Sequence, residues 1–185
     1  AALGFSGKVG VIPLGATEQS RSTPGNGVAY MGRLIPEKRA DVVLETAKLL
    51  PSVPFTFAIP MGTEAKACIE LQRRGGKLSN VSFVTCGARA RMALLQSVRA
   101  VVTASVGDSQ WLPGTEIRGA HGVGIAQAGT CLEGWNGDGL MYHSGTPESL
   151  AEAIVKVHDD SFFAAESARQ HAGFVSRGLS AGDTG

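Results

Sequence analysis

The sequence predicts an α/β protein: a Rossmann-like three-layer α/β/α domain with a mostly parallel sheet. One pattern predicts this fold class, and a second indicates where such a fold would bind a ligand. Short apolar segments alternate with segments of helical periodicity between residues 28 and 126, and repeated strand–helix units require right-handed crossovers and a parallel sheet covered by helices on both faces. Polar or glycine-containing turns follow several of the apolar segments, and such sheets bind ligands outside the carboxyl ends of their strands.

The predicted strands are short apolar runs bounded by turn residues. In chain order they span residues 8–13, 28–31, 55–59, 81–84, 99–104, 123–126 and 140–142. The run FTFAI at 55–59 is read as a buried strand, because the turn Pro60-Met61-Gly62 follows it at once.

The predicted helices rest on periodicity and on residues that start or stop a helix. They span residues 38–50, 63–74, 88–97, 113–122, 147–158 and 161–177. The first helix repeats apolar residues on one face, at Ala40, Val43, Leu44, Ala47 and Leu50. A threonine at 63 is a candidate cap of the second helix, and glycines at 75 and 76 end it. Prolines at 113 and 147 suit first-turn positions, where no N–H is needed.

Composition indicates a soluble globular chain. Its 185 residues are 43% hydrophobic and 18% charged, which supports one domain with a sizeable core. A net charge of +1 argues against nucleic acid as the main partner, and no apolar run approaches the roughly 20 residues of a membrane span. The cysteines Cys68, Cys86 and Cys131 form no C-x-x-C pair. We therefore expect no disulfide or zinc cluster, and a reducing cytoplasm.

A carboxylate pair follows the strand predicted at 99–104. Asp108 and Glu116 are eight positions apart, and the second lies in the helix predicted from Pro113. A strand, a loop and a helix N-terminus in this order form an anion site, because free N–H groups and the positive end of the helix dipole point the same way. An anion site beside two carboxylates suits a ligand that carries both phosphate and hydroxyl groups.

Cations for such a ligand follow the strand predicted at 28–31. Arg33 and Lys38 lie on the turn that leads into the next helix, where both can reach one diphosphate; Arg offers a planar fork and Lys a mobile point charge. The alternative is that both are solvated loop cations, or that Arg33 caps a neighbouring element.

Together these segments resemble the C-terminal half of a GT-B glycosyltransferase of retaining family four, typified by sucrose synthase and bacterial mannosyltransferases. The family's G-R-x-x-x-x-K turn matches Gly32, Arg33 and Lys38, and its E-x7-E motif matches Asp108 and Glu116, with Asp in place of the first Glu. Further matches are I-P-x-G-x at 12–16, D-G-x-L at 138–141 and P-x-x-L-A-x-A-I at 147–154. The resemblance covers roughly residues 8 to 160.

The resemblance implies a donor site for a nucleotide sugar. Glu116 would accept hydrogen bonds from the ribose hydroxyls, and Asp108 would contact the donor sugar and stabilise an oxocarbenium-like transition state. The diphosphate would be bound by Arg33, Lys38, Gly32 and Leu112, the sugar by Ser109, Gln110 and Trp111, and the base by Thr85, Cys86 and Gly87. The two cations would serve in place of a metal, so neither a metal nor a cofactor is expected.

Each acidic or thiol residue also has an ordinary structural interpretation. Glu116 could be a helix acid favoured by the dipole, Asp108 could form an Asx turn, and Cys86 could be a small buried residue. The family has a small Gly where Trp111 stands, and Pro113 has no N–H to offer a phosphate.

We expect three segments: a lead-in with a linker-like stretch at 1–26, a nucleotide-sugar-binding domain at 27–160, and a C-terminal helix and tail at 161–185. The expected partners are the nucleotide-sugar donor and an N-terminal GT-B domain of the same protein, so that this chain alone would be inactive. The expected activity is retaining transfer of a hexosyl group from a UDP- or GDP-sugar. Alternatives are a nucleotide-sugar epimerase and a non-catalytic nucleotide-binding or interaction domain, the latter favoured by the run Trp111-Leu112-Pro113. A cytoplasmic location is expected, with peripheral membrane association of the full-length enzyme left open.

Overall fold

The computed structural model describes residues 15–19, 25–60, 66–108, 110–136 and 139–179. Among them, six strands form one parallel sheet in the order β3-β2-β1-β4-β5-β6. The strands are β1 (Gly27–Met31), β2 (Phe55–Pro60), β3 (Val81–Cys86), β4 (Val98–Val102), β5 (Val123–Gln127) and β6 (Met141–His143). The predicted parallel, Rossmann-like sheet is confirmed, whereas the strand predicted at 8–13, the linker-like residues 12–14 and the candidate cap Thr63 lie outside the described residues.

Helices cover both faces of the sheet. They are α1 (Ala40–Leu49), α2 (Lys66–Gly75), α3 (Ala88–Ser97), α4 (Leu112–Gly119), α5 (Cys131–Asn136), α6 (Pro147–His158) and α7 (Asp160–Ser176). Alternate residues of β1 face opposite layers: Val28 and Tyr30 belong to the apolar core with α1 and α6, and Ala29 and Met31 to the core with α4. Burial of one large apolar side chain in either core contributes about 1.5–3 kcal/mol.

Capping residues explain why α6 and α7 begin where they do. The Thr146 side chain accepts a hydrogen bond from the Ser149 N–H at 3.2 Å, and Pro147 occupies the first turn of α6. The Asp159 carboxylate accepts one from the Phe162 N–H at 2.8 Å at the start of α7. Such caps contribute about 1 kcal/mol each. The bounds predicted for α6 and α3 agree with the structure.

The helix predicted from Lys38 begins two residues later, at Ala40. Arg39 adopts a left-handed conformation with φ of 46°, which interrupts the helix, and Pro36–Lys38 form a separate 3-10 turn. This turn is tied to the loop after β4, because the Glu37 carbonyl accepts hydrogen bonds from the Val106 N–H at 3.0 Å and the Ser105 hydroxyl at 3.3 Å. Lys38 therefore faces that loop rather than the flank of α1.

Smaller differences from the predicted bounds occur around β6. The strand lies one residue later than predicted, at Met141–His143, and the six-residue helix α5 was not predicted. The structure does not describe residues 137 and 138, so the D-G-x-L match at 138–141 lies partly outside it.

Helix α7 packs against β5 and against the segment that precedes β1. The Gln170 side chain bonds both main-chain groups of Gly124 in β5, at 2.9 and 3.1 Å, and the buried Phe174 packs with Ala16 and Leu179. The segment at 15–19 runs beside these residues, since Ala16 N–H donates to the Leu179 carbonyl at 2.8 Å. No helix within the described residues has the length and apolarity that crossing a bilayer requires.

Candidate functional site

A cavity opens at the carboxyl edge of the sheet, between the ends of β1 and β4. The chain moves outward from β1 through β2 and β3 before it returns to β4 on the other side of β1. Connections diverge at such a switch point, and open α/β sheets bind ligands in the crevice that results. The cavity has a volume of about 410 Å³, within the range of ligand sites. It is lined by Tyr30, Met31, Gly32, Arg33, Lys38, Ala58, Pro60, Cys86, Arg91, Thr103, Asp108, Gln110, Trp111, Leu112 and Pro113.

Most residues predicted for the site meet at this cavity. Those that line it are Gly32, Arg33, Lys38, Cys86, Asp108, Gln110, Trp111 and Leu112. Thr85, Gly87 and Glu116 are not among the lining residues, and Ser109 lies outside the described residues. The structure thus brings the cations of one turn and the first carboxylate of the other together, although about 70 residues separate them in the sequence.

Lys38 and Asp108 form an ion pair across the cavity floor. The Lys38 ammonium donates to Asp108 Oδ1 and, at 3.1 Å, to the carbonyl oxygen of Gly107. The two side chains are only 15% and 16% exposed. The thiol of Cys131, at the start of α5, donates to the main-chain oxygen of Asp108 from the other side. The loop after β4 is therefore held by contacts from two elements.

Glu116 is engaged by an arginine that the sequence did not point to. Arg91, in α3, pairs with Glu116 through two parallel hydrogen bonds, of which Nε to Oε2 measures 2.8 Å. Glu116 is 11% exposed, whereas Arg91 is 30% exposed and lines the cavity. A bidentate pair of this kind fixes the carboxylate plane. Glu116 therefore does not line the cavity itself, and the Arg91 side chain, which bridges α3 and α4, lies between it and the cavity.

The turn after β1 is shaped by Tyr30. Its hydroxyl donates to the Arg33 carbonyl oxygen at 2.7 Å, and its ring lies under Gly32, where a Cβ would come within 3.2 Å of the hydroxyl oxygen. Burial, followed by the nearby Asp108 carboxylate, raises the pKa of Tyr30 above its usual range, so the phenol stays a donor. This contact fixes the main chain at Arg33 and leaves its guanidinium exposed at the cavity rim.

The N-terminus of α4 forms the opposite wall. Leu112 and Pro113 begin the helix at the cavity, and the Trp111 carbonyl accepts from the N–H groups of Gly114 and Thr115 at 3.0 and 3.3 Å. Trp111 is 5% exposed and belongs to the apolar core. Its ring covers Gly114 so closely that a Cβ there would lie 2.2 Å from Cε3. Trp111 therefore lines the cavity, but its ring is buried in the wall and does not project into the cavity.

Only part of the segment predicted to bind the base reaches the cavity. Cys86 lines it at the end of β3, and burial raises the pKa of its thiol. Thr85 and Gly87 are exposed, and Gly87 precedes the first residue of α3. β3 is the edge strand of the sheet, so this segment borders the cavity on its open side.

A buried histidine supports the cavity wall at Thr103. His143, in β6, accepts at Nδ1 from the Gly145 N–H at 3.1 Å, so Nε2 carries the proton and donates to the Thr103 carbonyl at 3.0 Å. Burial lowers the pKa of His143, which keeps the ring neutral near pH 7. Because Thr103 lines the cavity, His143 holds the wall in place without reaching it.

The lining residues are suited to an anion that also carries hydroxyl groups. Arg33, Lys38 and Arg91 supply positive charge, and the start of α4 adds its dipole. Among the described residues of the wall there is one carboxylate, that of Asp108, and no imidazole, which is a poor donor set for a resident metal ion. Arg91 is the main residue that sequence reasoning missed; a basic side chain one turn into the helix after β3 was its only signal.

No protein-family model matches the sequence, and no curated protein matches it. Solved structures do share its fold. A variant of S. aureus TarM, in complex with Fondaparinux, α-GlcNAc-glycerol and UDP, superposes with a TM-score of 0.72 at 17% identity, over 90% of this chain and 35% of that one. A glycosyltransferase from Rickettsia africae gives 0.72 at 11% identity, over 83% and 44%.

HepE from Anabaena, in complex with UDP and glucose, gives a TM-score of 0.69 at 18% identity, over 83% of this chain and 44% of that one. The chain has the fold of one half of a GT-B glycosyltransferase. The expected half-fold is thereby confirmed, and the chain spans less than half the length of each of these structures.

Proposed function

We propose that this chain is the nucleotide-sugar donor-binding domain of a retaining glycosyltransferase, which transfers a hexosyl group from a UDP- or GDP-sugar. One observation carries the proposal: Arg33, Lys38 and Asp108 meet the N-terminus of α4 in a single cavity at the switch point of the sheet. The separate motifs of the sequence thereby become one site of the size and charge that a sugar nucleotide requires.

The diphosphate is assigned to the side of the cavity nearest β1. Arg33 can place its guanidinium fork on two phosphate oxygens from the rim, and Lys38 adds a point charge from below. The main-chain N–H of Leu112 completes the cradle. The Gly32 N–H already donates to the Ala58 carbonyl at 3.2 Å, so Gly32 is assigned here because it has no side chain to keep a phosphate from the turn. These groups neutralise the nucleotide as it leaves, so the proposed chemistry needs no metal at this site.

Ribose recognition is assigned to Glu116. A carboxylate offers about four lone-pair positions, and the bidentate contact with Arg91 uses two of them. Glu116 can therefore accept from ribose hydroxyls while Arg91 keeps its carboxylate oriented. The ribose would reach it beside Arg91, which lines the cavity in front of Glu116. The segment 85–87 is assigned to the base, with Cys86 as its described contact with the cavity.

The donor sugar is assigned to the loop that follows β4. Asp108 would accept from sugar hydroxyls and stabilise positive charge that develops at the anomeric carbon. Ser109, Gln110 and Trp111 complete this subsite. Asp108 must exchange its bond with Lys38 for these contacts when the diphosphate takes over the lysine, so donor binding itself would release the carboxylate.

The greater length of the matched structures favours a second domain in the protein to which this chain belongs. The matched structures are more than twice as long as the part this chain covers, so we assign acceptor binding to an N-terminal domain of the same protein and expect no sugar transfer by this chain alone. TarM and HepE are described as UDP complexes, which favours UDP as the nucleotide.

A non-catalytic nucleotide-binding domain is the second candidate. Trp111 fills space beside the start of α4, and Pro113 supplies no N–H at the second helical position. This candidate shares the nucleotide site and differs in that transfer would be absent even when the N-terminal half is restored.

The proposal is tested by calorimetric titration of the chain with UDP, GDP, ADP and UMP in the presence of EDTA. We expect one diphosphate to bind selectively and more tightly than its monophosphate. Arg33→Ala and Lys38→Met should each weaken diphosphate binding by about tenfold, since a charged hydrogen bond contributes about 1.5–3 kcal/mol.

Arg73→Ala is the matched control, because Arg73 is 61% exposed on α2 and pairs with Glu70 outside the cavity. The affinity of this variant for the diphosphate should equal that of the parent chain. Failure of all three diphosphates to bind, or equal affinity in Arg33→Ala, Lys38→Met and the parent, would contradict the proposed site.

A further inference from the structure

A second cluster of ligand-bearing side chains lies at the other end of α4. Glu18, His121 and His171 come from three separate segments, and one ligand atom from each lies within 4.8 Å of the other two. None of them lines the cavity. α4 starts at the cavity and ends just before His121, and its eight residues separate the two places by about 12 Å.

We propose that Glu18, His121 and His171 form a binding site for a divalent transition metal ion such as Zn²⁺. Two imidazoles and one carboxylate are a donor set that Zn²⁺ favours. In a tetrahedral site with bonds of about 2.0–2.1 Å, ligand atoms lie about 3.3 Å apart. The Nε2 atom of His171 lies 3.2 Å from Oε1 of Glu18, so this pair already has the separation that a shared metal ion requires.

His171 is oriented as a ligand by its second nitrogen. Nδ1 lies 3.0 Å from the Arg118 carbonyl oxygen, which can only accept, so Nδ1 carries the proton. The lone pair of the neutral ring is then on Nε2, the atom that faces Glu18. A backbone carbonyl that bonds the far nitrogen is the usual outer contact of a metal-ligating histidine, because it fixes both tautomer and ring orientation.

His121 occupies a backbone position where glycine is the ordinary choice. It follows α4 in a left-handed conformation with φ of 54°, in a helix end closed by the Gly122 N–H bond to Ile117 O at 2.8 Å. Such a conformation is unfavourable for a non-glycine residue, because its Cβ comes close to the following carbonyl oxygen. The conformation places an imidazole against His171, with ring centroids 3.8 Å apart, and Ser167 further fixes the site by donating to the His121 carbonyl at 2.7 Å.

Glu18 is carried to the cluster by its neighbours in the chain. The Gln19 N–H donates to the Gly119 carbonyl at 2.9 Å, which lays residues 15–19 along the end of α4. The Glu18 side chain is 49% exposed and His171 is 17% exposed, so an ion can enter from solvent and water can fill the fourth position. A bound ion would join the segment before β1 to α4 and α7.

Titration of the EDTA-stripped, dialysed chain with ZnCl₂ tests the proposal. We expect one site per chain, and a higher melting temperature in the presence of Zn²⁺ because the ion binds only the folded state. Glu18→Gln, His121→Asn and His171→Gln should each weaken Zn²⁺ binding at least tenfold, since loss of an outer contact alone costs about 10- to 100-fold. Asn suits position 121 because it tolerates the left-handed conformation.

His158→Gln is the control, because it removes a histidine that bonds Ile154 within α6 and is outside the cluster. It should keep the parent affinity and the Zn²⁺-dependent rise in melting temperature. Glu18→Gln changes an exposed side chain and leaves the fold intact, so its result stands apart from any folding defect. Absence of a Zn²⁺ site in the parent, unchanged affinity in the three cluster variants, or an equal loss in His158→Gln would overturn the proposal. If Glu18 and His171 form only an ion pair, the parent chain will show no Zn²⁺ site, which is the first of these results.

Discussion

Each carboxylate of the proposed donor site is paired with a cation from another element. Asp108 is bonded by Lys38 and Glu116 by Arg91. The pairs keep charges of opposite sign together at the edge of a low-dielectric interior, where an unpaired charge would be costly. A diphosphate that enters must therefore compete with Asp108 for Lys38, which lowers its apparent affinity and links phosphate binding to release of the sugar-facing carboxylate.

Substitution of Asp108 by Asn tests this competition. Lys38 would lose its charged partner and be free for phosphate, so we expect UDP to bind about fivefold more tightly, equivalent to about 1 kcal/mol. Glu37→Gln is the control, because Glu37 is an exposed acid on the same turn and its removal changes the net charge equally. Calorimetry of both variants at one ionic strength gives the comparison. Weaker UDP binding in Asp108→Asn, or equal gains in both variants, would show that Asp108 does not compete for Lys38.

The sequence predicted residues that line the cavity better than it predicted the contacts between side chains of different helices. Arg33, Lys38 and Asp108 were expected together because each follows a strand, and parallel strands end at one edge. The pair of Arg91 and Glu116 was not foreseeable, because it depends on how α3 packs beside α4 and the two residues are 25 positions apart. The cluster of Glu18, His121 and His171 was missed for the same reason.

At the scale of elements, α4 decides the shape of the site. It carries Glu116, presents its N-terminus to the cavity, and is closed there by the Trp111 ring over Gly114. The absence of a Cβ at residue 114 lets the ring lie flat on the first turn. Trp111 and Gly114 therefore act as one unit, and the bulky Trp111 is accommodated by Gly114 rather than by the ligand space.

Gly114→Ala should destabilise the chain although alanine is the better helix former. A Cβ would overlap the buried Trp111 ring, and overpacking of this kind costs about 1–3 kcal/mol, against a gain of about 1 kcal/mol from helix propensity. Gly173→Ala in α7 is the matched control, because its Cβ would meet only the Gly139 Cα at 3.8 Å. Urea unfolding should show a lower midpoint for the first variant and a midpoint equal to or above that of the parent for the second. An equal gain in both would contradict the packing described for Trp111.

Elements with end signals in their own sequence were predicted best. α6 has a threonine cap and a first-turn proline, and its bounds agree with the structure. α5 was missed because six residues are too few to show a helical period. α1 was predicted two residues too early, because nothing in the sequence shows that Arg39 adopts a left-handed conformation.

At the scale of the molecule, strand order places the site. The alternation of strands and helices predicts a parallel sheet, but it does not state which strands are neighbours; the order β3-β2-β1-β4-β5-β6 puts the switch point between β1 and β4. The two loops that carry Arg33 and Asp108 emerge on either side of that point. The fold thus explains why motifs distant in sequence form one cavity.

The most direct test of the donor site is a ¹⁵N-labelled NMR titration of the chain with UDP, which at 19.1 kDa suits amide mapping. We expect shift changes to concentrate at the amides of Gly32, Arg33, Asp108 and Leu112. Amides on the far side, such as those of Val155 in α6 and Phe162 in α7, should stay unchanged. Shift changes confined to surfaces away from the carboxyl ends of β1 and β4, or none at saturating UDP, GDP or ADP, would contradict the assignment of this cavity as a nucleotide-sugar site.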